Sequence, residues 1–167
     1  MIQTATNSHS RNKVNKLVIF HLDEQHFALQ LLNVKQILPS IEIHPLPMAP
    51  DYISGVINYH GEFLPVVNMR KLFRLSEREI ELCDQFIIAG TDKIRLVLWV
   101  DAVDEILTLT DEEIGDTDKI LIDFDCVDGH FKLHNKLVLI NDPDKFIAPD
   151  QIIKLKEAIQ KLSENQE

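Results

Sequence analysis

The sequence has little cysteine and no long apolar run. Its two cysteines, Cys83 and Cys126, form no C-x-x-C pair, and each lies beside a run of residues typical of a strand. A free cysteine in such a position usually behaves as a small buried apolar residue, so we expect two thiols rather than a disulfide. No stretch approaches the roughly 18 apolar residues of a membrane helix, and residues 1–15 lack the apolar core of a signal peptide. We therefore expect a cytoplasmic protein without membrane insertion.

Basic residues are also scarce. The chain has 17 lysines and arginines against 27 aspartates and glutamates, which gives a formal net charge of −10. This balance disfavours binding to a nucleic-acid backbone or to an anionic membrane surface, because both attract an excess of positive charge. The expected partner is another protein or a small molecule.

Sequence patterns of catalysis are missing. The chain has no G-x-S-x-G, P-loop or dinucleotide-binding pattern. Asp101, Asp104 and Glu105, and the acidic stretch 111–113, could act as paired acid and base groups, but no nucleophile or phosphate-binding loop accompanies them. We interpret them as a solvated acidic rim, and we expect no catalytic residue and no enzyme activity.

Seven histidines raise the question of a metal site. The candidate pairs are His130 with His134, and His21 with His26. Residues four apart on a strand face one side but lie too far apart to chelate together, because each residue rises about 3.3 Å. Neither an H-E-x-x-H pattern nor a cysteine-rich spacing accompanies the pairs. We expect surface or turn histidines, with no metal ligand and no cofactor.

Helical periodicity is nearly absent before Pro149, whereas strand patterns are frequent. The central segment, 55–73, has two apolar runs joined by His60 and Gly61, which predicts a hairpin whose arms are buried on both faces. Residues 33–38 have helical spacing ahead of a proline, which predicts about one helical turn. Trp99 is expected either between two halves of the protein or on an exposed strand face.

The pattern of the central hairpin occurs twice. At an offset of 74 residues, Gly55 falls on Gly129, and Gly61 falls on Asn135, the residue type that best replaces glycine at a positive φ. The hairpins that precede the two copies match at an offset of 69 residues. These matches predict two related, β-rich halves.

The chain divides into three predicted regions. Residues 1–15 are polar and without periodicity, which predicts a disordered tail, and residues 16–148 form one β-rich domain. Residues 149–167 form a helix and tail, with one apolar stripe at Ile152, Leu155, Ile159 and Leu162. We expect this helix to dock on the chain's own sheets rather than on a second copy or a partner helix, and the oligomeric state stays open.

Three stretches, V-K-Q-I at 34–37, the central segment 55–70 and residues 98–107, together resemble motifs of the CheW-like adaptor family of bacterial chemosensory systems. The family pattern V-x-E-I is met by V-K-Q-I at 34–37, and the pattern G-V-I-N-x-R-G-x-x-x-P-V-V-D-L-R is met by residues 55–70. The pattern L-x-V-D-x-V-x-E-V-L is met by residues 98–107. The resemblance covers residues 17–147.

The resemblance implies a mainly β fold of two SH3-like, five-stranded barrels packed side by side, with an apolar groove between them. It also implies a non-catalytic adaptor in a two-component signal-transduction pathway, which couples the cytoplasmic tip of a methyl-accepting receptor to the CheW-like regulatory domain of a histidine kinase. On the same basis, protein-binding residues are expected at seven positions: Val34, Gln36, Ile37, Val56, Asn58, Tyr59 and His60.

The chain departs from the family pattern at charged positions. His60 stands at the family's arginine and Gln36 at its glutamate, so two mostly neutral groups, which can still hydrogen-bond, replace an arginine and a carboxylate that could form a bidentate pair. Asn68 replaces an aspartate, and His134 replaces a common glycine. These differences favour a divergent adaptor in an accessory chemosensory system, such as one for pilus-based motility, over the standard flagellar one. The alternative is a small-ligand or metal-binding regulatory module that uses the same double-barrel fold.

Overall fold

The computed structural model describes residues 13–90, 92–116 and 124–165. Within these ranges the chain is mainly β, as predicted, and the strands are β1 Val14–Leu22, β2 Gln25–Gln30, β3 Val34–Pro39, β4 Ile53–Tyr59, β5 Glu62–Asn68, β6 Gln85–Gly90, β7 Arg95–Val100, β8 Ala102–Thr110, β9 Val127–Leu133 and β10 Lys136–Asn141. The helices are α1 Met69–Leu72 and α2 Pro149–Glu164, and short 3-10 turns lie at Leu31–Asn33, Asp111–Glu113 and Pro143–Lys145. No helix in the described ranges is both long and apolar enough to cross a membrane.

The strands form two five-stranded sheets, in the orders β8-β1-β2-β10-β9 and β3-β6-β7-β5-β4. The second sheet is continuous in the chain, so we call it the inserted barrel, and the first, whose strands come from both sides of it, the outer barrel. In each sheet, the segment after one edge strand forms a β-bridge to the opposite edge strand. The bridge joins His44 to Val56 in the inserted barrel and Gly115 to His130 in the outer barrel. Both sheets therefore curl on themselves, which is consistent with the predicted SH3-like barrels.

The predicted repeat is confirmed by strand register. In the central hairpin Gly55 pairs with Val66, and 74 residues later Gly129 pairs with Ile140. The register also shifts at the equivalent position of both hairpins, beside Gly55 in the first and beside Ile140, the partner of Gly129, in the second. Each barrel nevertheless combines strands from both halves of the repeat, since β6 and β7 pair with β3 and β5, and β1 and β2 pair with β8 and β10.

The two hairpin turns have the same backbone conformation. His60 and Gly61 have φ values of 53° and 86°, and His134 and Asn135 have values of 50° and 64°. Two consecutive positive φ values are the requirement of the type I′ turn that suits the twist of a hairpin. The predicted turn role of Asn135 is confirmed.

The apolar side chains of the residues that the structure describes form three clusters, which explains why the strands are buried on both faces. One cluster fills each barrel: Ile57, Leu64, Val66, Phe86, Ile88, Val97 and Trp99 in the inserted barrel, and Leu17, Ile19, Ala28, Phe131, Val138 and Ile140 in the outer barrel. The third, which we call the shared core, joins both barrels and includes Phe20, Phe27, Val56, Val67, Leu98, Leu139 and Phe146. Alternate residues of one strand, such as Val56 and Ile57, thus enter different clusters.

The C-terminal helix docks on the chain's own barrels, as predicted. Ile152 and Leu155 of α2 are buried in the shared core, and Ile159 and Leu162 pack against it. The predicted apolar stripe therefore accounts for the face of α2 that meets the barrels.

Two local expectations are wrong. Residues 34–39 form β3, paired with β6, because sheet pairing overrides the helical spacing of a short segment. Trp99, as one of its two expected placements had it, lies between strands of both halves, in the interior of the inserted barrel, where its Nε1–H donates to Asp84 at 2.9 Å. Both cysteines are free thiols as expected, and burial raises the pKa of Cys126 to about 11, but Cys83 is exposed.

The boundaries of the predicted regions shift slightly. Residues 1–12 of the expected tail, and residues 166–167 at the other end, lie outside the described residues. Strand β1 begins at Val14, and the side chain of Asn15 donates to Asp111 at 2.7 Å. Residues 14 and 15 are therefore part of the outer barrel's sheet.

Candidate functional site

The predicted protein-binding residues lie on β3, on β4 and in the turn that follows β4. These two strands are the opposite edges of the inserted barrel's sheet. The hydroxyl of Tyr59 donates a hydrogen bond to Oε1 of Gln36 and so links the two edges through side chains. The Tyr59 ring also packs against the interior cluster of this barrel. Barrel closure therefore brings together residues that are more than twenty positions apart in the sequence.

The seven predicted residues are not equally accessible. Gln36, Asn58 and His60 are exposed, Ile37 is 38% exposed, and Tyr59 is half-buried. Val56 is 0% exposed and belongs to the shared core, and half-buried Val34 packs against that core. Val56 is thus a core residue rather than a contact residue, because the shared core covers this part of β4. We call the five accessible residues, Gln36, Ile37, Asn58, Tyr59 and His60, the β3–β4 surface.

The tight turn fixes the orientation of the polar groups on this surface. Oδ1 of Asn58 accepts a hydrogen bond from the Gly61 backbone N–H at 2.9 Å. The rings of His60 and Tyr59 meet in a T-shaped contact, with 4.3 Å between the ring centroids. Gln36 and His60 therefore both contact Tyr59, and the partner of Gln36 is Tyr59 rather than the histidine considered from the sequence. The surface combines exposed polar groups with the partly exposed apolar side chain of Ile37.

A buried ion-pair network, which sequence reasoning missed, connects the two barrels. Arg70, in α1 between β5 and β6 of the inserted barrel, is 2% exposed, and its guanidinium donates to Asp101 at 2.6 Å and to Asp23 at 3.1 Å. Asp23 lies in the β1–β2 turn of the outer barrel, and its backbone N–H donates to Asp101 at 2.7 Å. Burial alone would raise the pKa of Asp101, but the bond from Asp23 and the charge of Arg70 hold that pKa below its usual range.

The network continues through a second arginine. Arg78 makes two parallel bonds of 2.7 Å to the buried carboxylate of Asp84 and a third of 2.7 Å to Asp101. Burial alone would raise the pKa of Asp84, but hydrogen bonds from Arg78 and Trp99 hold the pKa below its usual range. Asp101 is therefore part of an internal network, and its interpretation as a member of a solvated rim is wrong.

The sequence did contain a signal for part of this network. Arg70 and Asp101 both fall inside the motifs that resemble the family, although no role was assigned to either residue. Asp23 and Arg78 lie in polar stretches that read as an ordinary turn and an ordinary charged loop. Only the packing of the two barrels reveals that these stretches meet.

The β3–β4 surface offers amide, imidazole and phenol groups beside one apolar side chain. This composition suits hydrogen bonding to a partner around an apolar contact, which is how non-obligate protein interfaces are built. The arrangement therefore supports recognition of a partner.

Comparison with known proteins agrees with this structure. The chemotaxis protein CheW of Treponema pallidum is 24% identical over 146 residues, which cover 84% of this chain and 86% of that protein. The chemotaxis protein CheW of Rhizobium meliloti is 32% identical over 117 residues, which cover 70% of this chain and 76% of that protein.

A solved structure has the same fold. The crystal structure of the scaffolding protein TtCheW from Thermoanaerobacter tengcongensis superimposes with a TM-score of 0.71 at 26% identity, over 78% of this chain and 90% of that one. The CheW-like domain family matches residues 16–151 of the present sequence. The match spans most of the chain and both barrels, and the chain therefore belongs to the CheW-like domain family.

Proposed function

We propose that the chain is a non-catalytic adaptor of a bacterial chemosensory pathway, which couples the cytoplasmic tip of a chemoreceptor to a histidine kinase. The proposal draws on membership of the CheW-like family, on relatives named as chemotaxis proteins and on a structural neighbour described as a scaffolding protein. A receptor's cytoplasmic tip as partner implies a cytoplasmic location. The part of the kinase that binds this chain is the kinase's CheW-like regulatory domain. The contact would therefore join two double barrels of the same fold.

The main structural support for the proposal is the link between the two edge strands of the inserted barrel. The hydrogen bond between Gln36 and Tyr59 fixes two strand edges, and the exposed His60 and Asn58 stand beside them. A surface held by barrel closure and by a tight turn loses little conformational freedom on binding, which favours affinity. The amide and imidazole at positions 36 and 60, in place of a carboxylate and a guanidinium, support a partner different from that of a standard adaptor, and hence an accessory system such as one for pilus-based motility.

The internal repeat provides a matched control for a binding test. His60 and His134 are equivalent turn residues with φ values of 53° and 50°, both exposed, one on each barrel. We expect His60→Glu to weaken binding to the kinase regulatory domain or to the receptor tip by about tenfold or more, since a misplaced charge in an interface is costly. His134→Glu should change either affinity by less than about twofold, because it lies outside the β3–β4 surface.

Isothermal titration with both purified partners measures these affinities. Equal losses in the two variants would show that the effect comes from charge alone and not from this surface. Absence of binding to either partner by the wild-type chain would refute the adaptor role itself.

A second test addresses the choice of partner. The double variant Gln36→Glu with His60→Arg restores the family's charged pair beside Tyr59, where the carboxylate can accept from both the phenol and the guanidinium. We expect this variant to bind the tip of a standard flagellar receptor more tightly than the wild type, by about tenfold. Each single change should help less, because one charge would lack its partner.

A double-mutant cycle on the same receptor tip gives the coupling energy between the two positions. A coupling energy within error of zero, with no gain for the double variant, would mean that residues 36 and 60 do not set partner choice. The accessory-system proposal would then lose its support, whereas the adaptor role would stand on the first test.

A further inference from the structure

Two histidines and an aspartate converge on the surface of the outer barrel, away from the β3–β4 surface. His21 of β1, His26 of β2 and Asp104 of β8 each offer one ligand atom, and these atoms lie within 4.8 Å of one another. Nδ1 of His21 is 2.9 Å from Oδ1 of Asp104, and Nε2 of His26 is 3.9 Å from Oδ2. We propose that these three side chains bind a divalent transition-metal ion of the zinc type. The proposal is independent of the adaptor function.

Rise along one strand separates the side chains of residues four apart, such as His130 and His134. Distance along one strand does not apply to His21 and His26, because the turn at residues 23–24 makes them direct partners across the hairpin. Their ring centroids are 5.7 Å apart. Side chains directly opposite each other in an antiparallel pair are close enough to share a ligand.

A β-bulge supplies the third ligand. Ile19 pairs with Glu105 and Phe20 pairs with Val103, which leaves Asp104 as the extra residue of β8. A bulge of this kind re-aims the side chain of the unpaired residue. The Asp104 carboxylate therefore reaches from the edge strand β8 towards β1 and β2, where it faces both histidines.

The inserted barrel has an equivalent bulge but different side chains around it. The bulge is therefore a feature of both barrels, whereas the two histidines and the aspartate occur together only in the outer barrel's copy. The equivalent register shift in β3 leaves Lys35 as the extra residue, and the positions equivalent to the two histidines are Gly90 and Arg95. The Lys35 side chain crosses over Gly90, where an added Cβ would be 2.4 Å from its Cε. One barrel therefore holds two cationic side chains where the other holds two imidazoles and a carboxylate.

The spacing suits a tetrahedral ion with one open position. Zinc–nitrogen and zinc–oxygen distances of about 2.0–2.2 Å imply donor atoms roughly 3.3–3.6 Å apart, and the observed 2.9 Å and 3.9 Å lie on either side of that range. Nδ1 of His26 is buried without a hydrogen-bond partner, so Nε2 is the nitrogen that faces the site. The side chains of His21 and Asp104 are about 30% exposed, which leaves a path for the ion and for a water ligand.

The chemistry of the donors selects the class of metal. Two imidazoles and one carboxylate favour zinc and related transition metals, whereas magnesium and calcium prefer sites made of oxygen ligands.

A second cluster, Glu81, Cys83 and Asp84, lies on the inserted barrel. Asp84 there already accepts bonds from Arg78 and Trp99, so its carboxylate is not free to bind an ion. An ion at the first site would join β2, β1 and the edge strand β8.

The test is isothermal titration of the full chain with Zn²⁺, together with thermal melting in the presence of Zn²⁺ or Mg²⁺. We expect one Zn²⁺ per chain, a melting temperature that rises with Zn²⁺ and not with Mg²⁺, and a visible spectrum of four-coordinate Co²⁺ when cobalt replaces zinc. His26→Asn and Asp104→Asn should each weaken Zn²⁺ binding by at least about tenfold. Asp104→Lys, which copies the residue of the other barrel, should abolish it.

His134→Asn is the matched control, because that histidine is exposed in a turn of the same barrel. It should leave the affinity for Zn²⁺ unchanged. Zinc binding that survives in both Asp104 variants, or that is lost equally in His134→Asn, would be adventitious binding by surface histidines and would overturn the proposal. A wild-type chain whose melting temperature does not respond to Zn²⁺ would do the same. Asp104 is exposed on an edge strand, so its variants are expected to fold even if a histidine variant does not.

Discussion

Replacing Arg70 by alanine is expected to lower the free energy of unfolding by about 3 kcal/mol. Arg70 is 2% exposed and bonds to carboxylates from two different parts of the fold, Asp23 and Asp101. Its loss removes the bridge from the inserted barrel to the outer barrel's first turn and leaves a cavity where the long side chain lay. The expected cost is at the lower end for a broken buried pair, because Arg78 still neutralises Asp101. Chemical denaturation followed by far-ultraviolet circular dichroism measures the change.

Arg95→Ala is the matched control for this experiment. Arg95 also bonds to a carboxylate, that of Glu62 at 2.9 Å, but both side chains of this pair are largely exposed. Exposed pairs contribute less than about 1 kcal/mol, so the control should be nearly as stable as the wild type. If Arg70→Ala were no more harmful than Arg95→Ala, the network would not hold the two barrels together.

The sequence predicted the architecture well because the two copies of the repeat carry the same local signals. The turn at Gly61 and its equivalent at Asn135 need positive φ values, and this need is visible in residue type alone. Strand periodicity also indicated arms buried on both faces. The repeat did not reveal which strands pair across the two halves. Strands with the same apolar pattern can pair equally well within one half or between halves.

The candidate site was predictable only in part. The resemblance to the family located β3 and β4, but it could not distinguish Gln36, which is exposed, from Val56, which is buried in the shared core. That distinction depends on which face of β4 the other barrel covers. His21 and His26 were set aside because no ligand motif accompanies them in the sequence, and Asp104 is brought beside them only by the pairing of β1 with β8.

The two barrels are expected to unfold as one cooperative unit, because the shared core contains residues of both. Phe27 of the outer barrel is fully buried in it and contacts Phe20 and Phe73, with ring centroids 5.6 Å and 4.6 Å apart. Phe27→Ala should lower the free energy of unfolding by about 3–5 kcal/mol through lost burial and the cavity left behind. Leu137→Ala, at a residue of the same barrel that is 37% exposed, is the control and should cost less than about 1 kcal/mol.

The single tryptophan gives this prediction a readout in the other barrel. Trp99 lies inside the inserted barrel, so its fluorescence reports the unfolding of that barrel, whereas circular dichroism reports both. If the shared core couples the barrels, Phe27→Ala will shift the two denaturation curves together and leave their common slope unchanged. Should the fluorescence midpoint stay at its wild-type value while circular dichroism shows an earlier separate step, the outer barrel unfolds alone. The shared core would then be a contact between two independently stable barrels, because a perturbation on one side of it would not reach Trp99.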